Sequence, residues 1–72
     1  MNNFYSTQSN IEIIVYLEGA AGRAFFAGEV SPSARANVSA ALVVLQGRAG
    51  EEVQGRFVAR RGITYAEKIL SL

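Results

Sequence analysis

Six glutamates, six arginines, one lysine and six serines make up most of the chemistry available to this 72-residue chain, which has no His, Cys, Asp or Trp. Acid–base work near neutral pH needs a His, or a carboxylate pushed upward by burial. Only Glu is present to do it. On the strand that their surroundings suggest, Glu12 and Glu18 lie roughly 20 Å apart, whereas two carboxylates acting on one bond must stand within about 5–10 Å. Glu51 and Glu52 are adjacent, but in a stretch that reads as an exposed loop. The serines Ser6, Ser9, Ser31, Ser33, Ser39 and Ser71 have no imidazole to activate them, and Lys68 is the only amine for a Ser–Lys pair. Without Cys and His, nearly every zinc site is excluded. No phosphate-binding loop or dinucleotide fingerprint occurs. The chain therefore reads as a protein that is not an enzyme, with no cofactor and no metal.

Arginine is the remaining polar feature. Arg48, Arg56, Arg60 and Arg61 are close in sequence, and a sheet face bearing Arg beside an aromatic can hold single-stranded nucleic acid by charge and stacking. Glu12, Glu18, Glu29 and Glu67 fall on the same expected surface and cancel much of that field. The segments Gly19–Gly22 and Gly47–Gly50 share the Gly-x-x-Gly spacing of KH domains, but they do not read as links between two helices, which that clamp requires.

The elements that must position these groups follow from hydrophobic period. Residues 1–9 are polar around Phe4 and Tyr5 and read as a flexible or loosely docked arm. Ile11, Ile13, Val15 and Leu17 alternate with Glu12, Ile14, Tyr16 and Glu18, which predicts a strand. Gly19-Ala20-Ala21-Gly22 reads as a hairpin turn into a second strand, Arg23–Val30. Ser31-Pro32 announces a helix over about 32–46, with Ala34, Val38, Ala41, Leu42 and Leu45 on one face and Gly47 as its cap. Alternation over Val53–Ala59 predicts a third strand. The last ten residues allow two readings: a short helix opened by a Thr64–Glu67 capping box, or a fourth strand over Ile63–Leu70. The expected fold is α+β over residues 10–72, a small antiparallel sheet with a ββαβ core packed on one main helix.

A domain this small buries only about 60% of the surface its unfolded chain exposes. With disulfides and zinc excluded, oligomerisation is the support that remains, and half the residues are apolar. The net charge of +1 gives no whole-molecule attraction to nucleic acid or to anionic membranes. No signal peptide is visible, and no apolar run approaches the roughly 20 residues of a spanning helix. The absence of Cys fits a reducing compartment, so a cytoplasmic protein without membrane attachment is expected.

If one helix covers one face of the sheet, Ile14, Tyr16 and Phe26 need cover on the other, from a C-terminal helix, a partner protein or a second copy. The expected function is a non-catalytic protein-binding module that self-associates as a homodimer. In size and element order the chain resembles small phage and mobile-element proteins, including some anti-CRISPR inhibitors, built from an antiparallel sheet and one or two helices. That resemblance implies an inhibitor of a host complex and carries no site residue across. The alternatives are a nucleic-acid-binding domain using Arg48, Arg56, Arg60 and Arg61, or a structural subunit of a larger assembly.

Overall fold

The computed structural model describes residues 3–51 and 56–72. Every regular element in them is helical. A short 3-10 helix, Phe4–Thr7, leads into α1 (Asn10–Ala27), α2 (Pro32–Glu51) and α3 (Arg56–Leu70). The expected α+β fold is therefore incorrect: no strand, hairpin or sheet edge exists among the described residues.

The first two predicted strands and the turn between them are one helix. Its start is fixed by a reciprocal capping box: Ser9 Oγ accepts from the Glu12 N–H at 3.2 Å, and the Ser9 N–H donates to Glu12 Oε1 at 2.9 Å. Its end is fixed by Gly28, whose φ of 77° is left-handed and whose N–H donates to the Ala24 carbonyl at 2.8 Å. Between these stops Ile13, Leu17, Ala20 and Ala24 recur at spacings of four, three and four and are all buried. That series passes through Gly19–Gly22, whose two central alanines are the best helix formers. Burial of this face outweighs the β-preference of the Ile- and Val-rich start.

Helix α2 keeps the predicted start and face. Ser31 Oγ accepts from the Ala34 N–H at 3.2 Å, and Val38, Ala41 and Leu45 are fully buried. It runs past Gly47, the expected cap, to Glu51. Of the third predicted strand, residues 53–55 lie outside the described set, and 56–59 form the first turn of α3. The C-terminal residues are helical, as the first of the two readings has it, but the helix begins at Arg56. Thr64 lies inside it, its hydroxyl donating to the Arg60 carbonyl at 3.0 Å. The fourth-strand alternative is thereby excluded. The layout shared with the sheet-based phage proteins goes with it.

Helix α3 is the centre of the molecule. It packs against both α1 and α2, which touch each other much less. Its inward positions are Ala59, Gly62, Ala66 and Ile69, all buried at spacings of three and four. The small size of Ala59, Gly62 and Ala66 lets both neighbours approach closely. Gly62 marks the crossing: a Cβ there would stand 2.5 Å from Leu45 Cδ1 of α2 and 3.1 Å from Ile14 Cγ1 of α1. The 3-10 helix docks beside α2, with Tyr5 buried and Asn3 Nδ2 donating to the Ala40 carbonyl at 2.8 Å.

Candidate interaction surface on the first helix

Each residue singled out by the strand reading has a different environment on a helix. Residues 14 and 16 share one side of a strand, but they are about 200° apart around a helix. Ile14 is buried next to Gly62. Tyr16 is half-buried, with its ring centroid 5.5 Å from that of Tyr5. Phe26 alone faces outward, at 96% exposure. The three do not form one surface.

The arginines are likewise separated by role. Arg48 is tied down: its guanidinium donates to Asn10 Oδ1 at 2.9 Å and to the Ser6 carbonyl at 3.1 Å, clamping the end of α2 to the chain that leads into α1. Arg61 lies 3.9 Å from Glu18 of α1 in an exposed pair, a contact worth well under about 1 kcal/mol in solvent. Arg60 is exposed on α3. The side chain of Arg56 is outside the described set. Among the described residues there is no sheet, so the Arg-bearing sheet face of the nucleic-acid alternative does not form.

Helical geometry assembles a surface that the strand reading missed. At about 100° per residue, Ile11, Val15, Gly22, Phe25 and Phe26 lie within one stripe of α1, turned away from α2 and α3. Ile11 is 61%, Val15 63% and Phe25 49% exposed. The only charge within the stripe is Glu18, already beside Arg61. A surface helix is ordinarily polar on its outer side; α1 is apolar on both. The signals for this face were the Ser9–Glu12 capping box and the unbroken 13/17/20/24 series, which together place Ile11 and Val15 outside.

Elsewhere the surface offers little for chemistry. A shallow cleft of about 250 Å³ lies where the end of α1 meets the start of α2, walled mainly by alanines together with Arg23, Glu29 and Val30. Both its charged residues are solvent-exposed. Among the described residues, no three acidic side chains gather where they could hold a metal ion, and no polar or charged side chain is buried. No described helix is long and apolar enough to cross a membrane. Glu12 is held below its ordinary value by the backbone and hydroxyl of Ser9, as expected for a carboxylate in a cap. Tyr5 is pushed up to about 12, first by burial and then by neighbouring Tyr16. Both shifts belong to the packing of the N-terminal segment.

No family model matches the chain, and neither any curated protein nor any solved structure matches it.

Proposed function

We propose that this protein is a non-catalytic binding module whose working surface is the outward face of α1, where it engages another protein chain. The observation that carries the reading is Phe26, a large aromatic left 96% exposed on a helix whose neighbouring outward positions are also apolar. Together Ile11, Val15, Phe25 and Phe26 present on the order of 500 Å² of surface, in two groups along α1 with Glu18, Gly19 and Gly22 between them, comparable in sum with the larger apolar patches that monomers leave uncovered. The chain's lack of His, Cys and Asp supports a role without catalysis. Its lack of Cys also supports placing that role in the reducing cytoplasm.

Affinity capture from source cells tests this, with wild-type and Phe26→Glu baits run side by side and the recovered proteins identified by mass spectrometry. Partners retested for direct binding to the purified chain, which itself counts as one, are expected to bind wild type and to be lost with the variant. Equal recovery by both baits, or no direct binder for a chain that is also monomeric, refutes the reading.

A further inference from the structure

We infer that the occupant of this face is a second copy of the chain, paired antiparallel along α1 with the two-fold axis between Glu18 and Gly19; this rests on the reading of α1 as the working surface. Three observations carry it.

The first is complementarity of size. The apolar positions are spread almost symmetrically about the middle of the helix, with Ile11 and Val15 on one side and Gly22 and Phe26 on the other. Turning a second α1 end for end brings Ile11 level with the partner's Phe26 and Val15 level with the partner's Gly22. A branched side chain then meets bare backbone, and the exposed aromatic meets an exposed aliphatic. Gly22 has open space around it, with nothing within 4 Å of the position a Cβ would take.

The second is charge. Glu12 and Arg23 flank the stripe on the same side, about 20° apart around the helix. In a parallel pair the two-fold axis runs along the seam and puts the two copies of each on opposite sides of it, so Glu12 and Arg23 do not meet. In the antiparallel pair Glu12 lies within about 3 Å in height of the partner's Arg23, and the contact occurs twice. At the axis the two Glu18 carboxylates approach each other, each arriving with an Arg61 guanidinium 3.9 Å away. The one acidic repulsion in the seam is thus supplied with its own counter-charges.

The third is area. About 500 Å² of apolar surface per copy, with the flanking charges added, approaches the ~800 Å² that each partner buries in a stable interface. It is more than a tenth of the molecule's 4655 Å², a large fraction for a small domain without disulfides to leave in water.

Sedimentation equilibrium and cysteine cross-linking on the full chain test the pairing. Wild type is expected to be a dimer. Phe26→Glu, at a position that makes little contact with its own protomer, is expected to keep its helical circular dichroism while its dimer dissociation constant rises on the order of tenfold or more. The chain has no Cys, so single cysteines report the register. Ile11→Cys mixed with Phe26→Cys should couple through a short thiol cross-linker. Ile11→Cys alone should not, since its two copies would be about 22 Å apart along the seam. Self-coupling of Ile11→Cys, a dimer untouched by Phe26→Glu, or a monomeric wild type each overturns the inference. A monomeric chain that still captures another protein through Phe26 sinks only the self-pairing. A monomeric chain whose captured proteins are indifferent to Phe26→Glu sinks the functional reading as well.

Discussion

Two glycines that look interchangeable in the sequence have opposite roles. Gly28 occupies the left-handed region at φ 77° and ends α1, with nothing near the place a side chain would take. Gly28→Ala should therefore lose about 1 kcal/mol from backbone strain alone. Gly47, which the sequence offers as a cap, lies inside α2 with open space beside it. Gly47→Ala should gain roughly 0.5–1 kcal/mol. Urea unfolding of the two variants reads both signs, and matching signs would contradict the helix boundaries. Tyr5 gives a second test at this scale. Its phenol is raised from 10.0 to about 12, so its neutral form is the one the fold favours. The stability linked to it is complete below pH 10 and falls away as pH rises toward 12. Ultraviolet titration should show a late phenolate component that disappears in Tyr5→Phe.

At the scale of elements, the start of α1 depends on Ser9. Ser9→Ala removes an N-cap acceptor and should cost about 1 kcal/mol by thermal or urea unfolding. The same cap has a pH signature. Glu12 is depressed below its ordinary 4.5, so its contribution is present above that pH and is lost as acid carries it through its folded value. Amide exchange at the first turn of α1 should accelerate on acidification, beyond the intrinsic pH trend, in wild type more than in Ser9→Ala. This cap also shows what the sequence made legible. Ser31-Pro32 and the face Val38, Ala41 and Leu45 identified α2 correctly, because cap and period agree there. In α1 they conflict. Ile11, Ile13 and Val15 alternate as a strand would, while Ser9, Glu12 and the 13/17/20/24 series describe a helix, and a local alternation of seven residues hid an eighteen-residue element. The candidate surface was lost with it. Phe26, singled out as needing cover, is exposed, but Ile14 and Tyr16 were assigned beside it by a period of two that the described residues do not use.

Over the whole molecule, one position joins all three helices. Gly62 of α3 meets Leu45 of α2 and Ile14 and Leu17 of α1. Gly62→Leu would force a four-carbon side chain into that crossing and should destabilise the fold by about 1–3 kcal/mol. Gly62→Ala is the informative comparison. The alanine gains about 1 kcal/mol of helix propensity while pressing on the flexible end of Leu45, so the two effects should nearly cancel in urea unfolding. If Gly62→Leu unfolded at the wild-type midpoint, the close approach of α3 to both neighbours would be disproved. On the fourth-strand reading this glycine falls in the turn just before Ile63, since a small residue required by packing and one required by a bend look the same without the neighbours.

The central place of α3 has a consequence for how the chain acquires its shape during synthesis. α1 and α2 are made first, yet they have little to offer each other, and the apolar faces of both are buried mainly against a helix translated after them. Until residues 56–70 have left the exit tunnel, the nascent chain holds two helices' worth of sticky surface without a lasting place to put it. Folding on the ribosome should thus begin late and finish abruptly, and a chain interrupted before Gly62 should be handed to chaperones or proteases rather than persist as a two-helix fragment.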